Sequence, residues 1–364
     1  MFVAATRVPI AQFGVLAALY AGALILSDLS DFGTGLRLVL RSGRLSVNAL
    51  DARVRGLLAG RIVLHLPLLA LAILGGFIWS GWESVAATVL LSASIAVRVL
   101  LQARERALRL YSMSSLLMVM ERGVALGLLI LFPSTSVAGA LLCLAGGSVV
   151  ASAFVLFRVK YERRSVSAWT QHRQAVPVGI SSASSSLSQL EVPIVTAAAG
   201  AFAGGEYAVA ARLLSPVTFI PASLSSVLAR ELPTMPRERA NRTLYLLLTV
   251  SCGGVAIMAG VLVFLAPWIA QVLGPDYSGT IIPIRVFAVL CVVVAARQTF
   301  QVALQSRGEV AYVAKSALAG TAAYLVLLAI GSVVGGAIGA AGGAILGQVG
   351  LLSVLVLRWT SNRG

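Results

Sequence analysis

The chain has 364 residues, of which 59% are hydrophobic and only 11% charged, with a mean hydropathy of +0.94. A soluble domain carries about 25% charged residues, so a soluble enzyme, a disordered protein and a disulfide scaffold are excluded as the main reading. Lys and Arg outnumber Asp and Glu by 28 to 13, a formal net charge of +15. In a chain this apolar, that excess points to basic loops on one side of a membrane rather than to nucleic acid.

Taken in chain order, eleven apolar stretches are long enough to cross about 30 Å of hydrocarbon as helices. They run over residues 13–35, 58–79, 84–103, 113–132, 135–157, 176–201, 207–229, 244–272, 280–303, 311–331 and 337–357. The first and sixth carry polar residues and turn formers, and so are expected to face a cavity. Before the first, Met1–Gln12 lacks the long apolar core of a cleavable signal peptide. Cys143, Cys252 and Cys291 fall inside apolar stretches and read as small hydrophobes. Gly335, Gly336, Gly339, Gly342, Gly343 and Gly347 predict close packing of the last span on a neighbour.

The loops set the orientation. Arg41, Arg44, Arg53, Arg55 and Arg61 follow the first span, and Arg104, Arg106 and Arg109 the third. Arg158, Lys160, Arg163, Arg164 and Arg173 follow the fifth, and Arg230, Arg237, Arg239 and Arg242 the seventh. Arg307 and Lys315 follow the ninth, Arg358 and Arg363 the eleventh, while the alternate loops carry no Lys or Arg. The positive-inside rule then expects a bacterial cytoplasmic (inner) membrane protein with its C-terminus in the cytoplasm and its N-terminus periplasmic. Trp79, Trp82, Trp268 and Trp359 sit at span ends as an interfacial belt, and Trp169 marks an amphipathic segment at the inner surface.

Several stretches carry a family likeness. Gln12–Phe13–Gly14, a span, and Asp31–Phe32–Gly33–Thr34–Gly35 are similar to an "EFG … DLGLG" segment. Glu206–Tyr207 followed by Ala210–Ala211–Arg212–Leu213–Leu214–Ser215–Pro216 is similar to "YAAAYRLLSP". Leu273–Gly274–Pro275–Asp276–Tyr277 with Pro283–Ile284–Arg285 is similar to "FGPEY … P–x–R". In order and spacing the chain resembles the polysaccharide flippases of the multidrug/oligosaccharidyl-lipid/polysaccharide (MOP) exporter superfamily, of the O-antigen or exopolysaccharide repeat-unit type. The resemblance implies an all-α polytopic protein with two helical bundles around a central cavity. Residues 1–160 would form an N-terminal lobe of about five spans, 161–175 a basic cytoplasmic linker, and 176–364 a C-terminal lobe of about six. The eleven spans match the family's helices two to twelve, so a first helix is expected to be missing here, through a misassigned start or real truncation.

Charges inside spans cost about 2.5–3.5 kcal/mol at the bilayer centre and should face a wet cavity or one another. Arg212, Arg285, Arg98, Arg297 and Arg122 are the basic candidates for contact with substrate, Arg212 and Arg285 first because both lie in family-like motifs. The alternative for each is snorkelling to the interface. Arginine suits the pyrophosphate of a lipid-linked sugar because it is permanently charged and offers a planar fork of donors. Glu191, Asp31 and Glu121 are the acidic candidates, as coupling groups or as partners of the arginines; for Asp31 local capping of its turn is the alternative. The adjacent Glu121 and Arg122 cannot share one helix face, so one is expected to turn inward and the other out. His65 reads as a satisfied structural histidine rather than a proton relay.

No phosphate-binding loop G-x-x-x-x-G-K-[ST] and no metal-ligand spacing occurs. The resemblance implies a non-enzymatic function: translocation of a polyprenyl-pyrophosphate-linked oligosaccharide for exopolysaccharide or lipopolysaccharide synthesis, by alternating access. No cofactor is expected, with an ion gradient or the membrane potential as the drive. Membrane lipids, a polysaccharide polymerase and chain-length proteins are the expected partners. The alternatives are a cation-coupled multidrug exporter of the same superfamily, an integral-membrane glycan polymerase or glycosyltransferase, and a helical scaffold without transport.

Overall fold

The computed structural model describes residues 5–41, 46–75, 81–132, 136–157, 159, 167–173, 175, 186–218, 221 and 237–361. Among these the regular structure is helical. The main helices are α1 Ile10–Asp31, α2 Thr34–Arg41, α3 Val47–Gly75, α4 Trp82–Ala107 and α5 Tyr111–Leu131. They continue with α6 Val137–Leu156, α7 Glu191–Leu214, α8 Arg237–Leu273, α9 Ile281–Ser306 and α10 Val310–Ser361. Nine helices among the described residues are long and apolar enough to cross a membrane. The protein is a multi-pass membrane protein. Side chains such as Leu71 and Val63, 66% and 68% exposed on α3, are what a lipid-facing surface requires.

Two of the nine helices double back. In α7, Gly200 adopts φ 89° and ψ 166°, backbone that a Cβ disfavours. The Tyr207 hydroxyl donates to Glu191 across those 16 residues, which a straight helix would separate by about 24 Å. Gly204 lies against the Thr196 side chain, so residues 191–199 and 201–214 are antiparallel arms.

In α10 the reversal falls at Gly335 and Gly336, the latter at φ 57°. Gly339 meets the Gly331 backbone, Gly343 meets Leu327, Gly347 meets Tyr324 and Leu351 meets Gly320. As numbers rise on one arm they fall on the other, and the missing Cβ atoms let the backbones touch. Counting both arms of each hairpin gives eleven helical segments among the described residues, with the α7 turn at Gly200, inside the expected sixth span, rather than between residues 201 and 207. Residues 176–185 of the sixth expected span, and most of 219–229 of the seventh, lie outside the described residues.

The helices extend beyond the apolar stretches. α3 begins at Val47 rather than near 58, and α4 runs to Ala107 rather than 103. Arg53, Arg55, Arg61, Arg104 and Arg106, read from sequence as loop residues, are therefore helical. Burial explains part of this: Arg61 and Arg104 are 1% and 4% exposed, each held by carboxylates. Arg44, Arg158, Lys160, Arg163, Arg164, Arg230 and Arg363 lie outside the described residues.

The chain divides into two compact units, Met1–Val8 with Leu16–Leu190, and Pro9–Val15 with Glu191–Gly364. In the first, α4 packs on α2, α3 and α6, and α5 on α6. Its core includes Leu57, Leu100, Leu101, Leu117 and Val155. Residues 168–173 form a short helix whose Gln171 side chain donates to the Arg53 carbonyl at 3.1 Å, leaving Trp169 78% exposed. In the second unit, α9 packs on α7, α8 and α10, and α7 on α10. Its core gathers Leu244, Phe300, Leu304, Leu355 and Trp359. Gly14 and Ile10 belong with this unit and press on Ala201 and Gly205 of α7.

Candidate functional site

The charged residues within the spans fall into separate clusters. In the first unit the turn between α1 and α2 places Phe32 at φ 36° and Gly33 at φ 77°. Asp31 holds this turn: its Oδ1 accepts from the Thr34 hydroxyl at 3.0 Å and the Gly35 amide at 3.1 Å. The same carboxylate pairs with Arg61, which also donates to the Ala96 carbonyl. Asp31 thus performs the capping role expected of it and carries a buried counter-ion that sequence reasoning assigned to a loop. One turn beyond Arg61, the His65 ring bonds the Arg61 carbonyl at 2.8 Å and Ser92 Oγ at 3.0 Å. Both ring nitrogens are occupied, as a structural histidine requires.

Arg98 and Glu121 meet each other. The Arg98 Nε lies 3.1 Å from Glu121 Oε2, and Ser148 donates to Oε1 at 2.9 Å. Arg98 Nη1 also donates to Gln102 at 3.2 Å. Glu121 is buried and Arg122 is exposed, the inward-and-outward split that a helix imposes on neighbours. Arg122 bonds the Tyr20 hydroxyl.

The second unit holds the densest polar group. Glu191, at the start of α7, accepts from Tyr207 on the second arm at 3.1 Å. Tyr324 of α10 lies beside both Glu191 and Tyr207. Arg212 acts electrostatically on Glu191, and Arg297 on Tyr324. Arg297 donates to Gln301 at 3.5 Å, while its Nε and the Thr196 hydroxyl are buried without a hydrogen-bond partner. The α7 reversal and the packing of α7 on α9 and α10 bring Arg212 toward Glu191 and Arg297 toward Tyr324. Arg285 stands exposed on the second turn of α9, about 18 Å of helix from Arg297.

Tyr207 and Tyr324 were missed by sequence reasoning. A tyrosine in an apolar span has the same signature as a core aromatic, and only the hairpin geometry brings these two to the carboxylate. Among the described residues no group of three or more His, Cys, Asp and Glu is placed to hold a metal ion.

The helical architecture has solved counterparts. An inward-facing multidrug resistance MATE family transporter of the MOP superfamily superposes with a TM-score of 0.80 at 17% identity, covering 100% of this chain and 93% of that one. The lipid II flippase MurJ, in an inward closed conformation, gives 0.76 at 14% identity, with 96% and 82% covered. The chain shares its fold with these proteins. A MOP superfamily transporter from Pyrococcus furiosus, described as having a binding pocket of reversed polarity, gives 0.57 at 16% identity, with 97% and 86% covered. Comparison with protein-family profiles returns no match, and neither does comparison with curated proteins.

Proposed function

We propose that the protein translocates a polyprenyl-pyrophosphate-linked oligosaccharide across a bacterial inner membrane by alternating access of two helical lobes, residues 1–160 and 176–364 joined by a basic linker. The observation that carries this reading is Arg297 within α9: its Nε is buried without a hydrogen-bond partner, and Gln301 accepts from its Nη1 only at 3.5 Å. In the first unit Arg61 and Arg98 are each matched by an acid. A guanidinium within hydrocarbon costs about 2.5–3.5 kcal/mol unless water or an anion meets it.

On this reading Arg212 and Arg297 receive the pyrophosphate as forked donors. Arg285 and Arg122, both exposed, meet the anion earlier or later in its path, and Arg98 positions Glu121. Glu191 is the coupling group, responding to an ion gradient or to the membrane potential. The C-terminus faces the cytoplasm, and a polysaccharide polymerase and chain-length proteins take up the flipped unit.

The test is reconstitution in liposomes with a polyprenyl-pyrophosphate oligosaccharide and a leaflet-specific probe. Arg212→Gln and Arg297→Gln are expected to lose flipping at least tenfold while remaining folded. Wild-type rates in both variants would overturn the reading.

One observation favours a second reading. Glu191 with two tyrosine hydroxyls is also a suitable acceptor for a cationic drug or its counter-transported ion. Uptake of a lipophilic cation by the same liposomes, abolished by Glu191→Gln and unaffected by Arg297→Gln, would support a cation-coupled multidrug exporter instead.

A further inference from the structure

The last turn of α10 closes onto the start of the same hairpin and leaves an open groove beside it. Tyr312, Val354, Leu357, Arg358, Thr360 and Ser361 line this groove, which has a volume of about 550 Å³. That is within the range of ligand pockets, about 300–1,000 Å³. Its walls are apolar toward the hairpin's middle and polar at the helix end.

The surroundings are cationic. Arg358 Nε binds Glu309 at 2.6 Å, and its guanidinium lies over the Tyr312 ring, with its side chain 41% exposed. Arg307 stacks on Trp359 at 3.3 Å and donates to Asn241 at 3.1 Å. Arg242 and Lys315, next to Asn241 and one turn from Tyr312, are exposed. Glu309 is the acid in this set.

Below the cations runs an apolar stripe. Leu346, Val349, Val354 and Leu357 are 65%, 40%, 42% and 68% exposed and recur at helical spacing on one face. From Leu346 to Leu357 the helix rises about 16 Å, half of a hydrocarbon core of about 30 Å. A stripe one leaflet long that ends in a cluster of arginines has the dimensions and polarity of a lipid standing against the helix.

We propose that this groove binds one anionic phospholipid, its phosphate on Arg358 beside Thr360, whose hydroxyl donates to the Leu357 carbonyl at 3.0 Å, and an acyl chain along Leu346–Leu357. Glu309 takes the Arg358 Nε and leaves the other guanidinium donors for the phosphate. On the topology proposed above, the lipid belongs to the cytoplasmic leaflet, where basic pockets between helices bind such headgroups.

Native mass spectrometry of the full chain in detergent tests this, with phosphatidylglycerol and phosphatidylcholine of equal chain length as probes. One phosphatidylglycerol is expected to bind at least tenfold more tightly than phosphatidylcholine. Arg358→Gln is expected to remove that preference, and Arg106→Gln, in the other unit, to leave it. Thr360→Glu is expected to weaken phosphatidylglycerol without touching the Arg358–Glu309 pair, which guards against misfolding of the first variant. Equal binding of the two lipids, or an unchanged preference in Thr360→Glu, overturns the proposal. So does displacement of the lipid by millimolar glycerol phosphate, which would assign the groove to a free anion.

Discussion

The Tyr207 hydroxyl donates to the Glu191 carboxylate at 3.1 Å from the far arm of a helix reversal. The bond is possible because Gly200 turns the chain back within a single residue, and Tyr324 of the second hairpin lies beside the same carboxylate. Interhelical hydrogen bonds inside membranes contribute about 0.6 kcal/mol on average and at most about 1.7. Tyr207→Phe is therefore expected to lower thermal stability only slightly. If Glu191 is the coupling group, Glu191→Gln should leave a folded protein whose transport no longer responds to an imposed ion gradient or potential. Thermal unfolding in detergent and liposome transport with and without the gradient read the two effects separately. A gradient response that survives in Glu191→Gln would remove the coupling role.

The α10 hairpin gives an internal control for backbone contact. A Cβ on Gly339 meets the Gly331 backbone and one on Gly343 meets Leu327, whereas one on Gly342 meets nothing within 4 Å. Overpacking a close interface costs about 1–3 kcal/mol. Gly339→Val and Gly343→Val are expected to lower the unfolding temperature markedly, and Gly342→Ala to leave it within a degree or two. Similar losses in all three would mean that the arms do not touch at Gly331 and Leu327.

This hairpin also shows how far the sequence is legible. The glycine-rich stretch from Gly335 to Gly347 predicted close packing, and Gly339, Gly343 and Gly347 do pack. It did not separate them from Gly342, because the packing face depends on where the turn falls. Span number was readable because hydrocarbon thickness fixes the length of each apolar run. Helix ends were not. Hydropathy stops at the first arginine, whereas α3 and α4 continue through Arg61 and Arg104 once a carboxylate neutralises each. The Glu191 cluster was half visible: the charges Glu191, Arg212 and Arg297 were legible as costly, but Tyr207 and Tyr324 came into view only with the fold.

Arg104 holds a deeply buried charge arrangement. It is bidentate to Asp51 at 2.6 and 3.1 Å and bonds Glu105 at 2.6 Å, with Asp51 and Glu105 0% and 1% exposed. The site ties the start of α3 to the end of α4. Removing one partner of a buried pair costs about 3–5 kcal/mol because the other charge stays behind. Asp51→Asn is expected to destabilise by about that amount, and Asp51→Asn with Arg104→Met by less than the sum of the single changes. A chemical or thermal denaturation cycle on the four proteins checks this; strict additivity would show that the pair is not coupled.

Glu121 and Arg122 are neighbours in sequence with opposite surroundings. Glu121 is buried between Arg98 at 3.1 Å and Ser148 at 2.9 Å, so Glu121→Ala leaves a guanidinium and a hydroxyl in the bundle with an unmatched partner. That places it with buried-pair losses of about 3 kcal/mol or more. Arg122 is exposed apart from its contact with Tyr20, which a glutamine amide can keep, and substitutions at exposed positions usually stay within about 0.5 kcal/mol. Arg122→Gln is thus expected to unfold at the wild-type temperature while Glu121→Ala unfolds well below it. If Arg122 also touches the translocated anion, its glutamine variant loses flipping with stability intact, a combination that a purely structural arginine would not produce. Joint measurement of unfolding temperature and flipping rate on Arg122→Gln therefore decides between a substrate contact and an arginine that merely reaches for the headgroups.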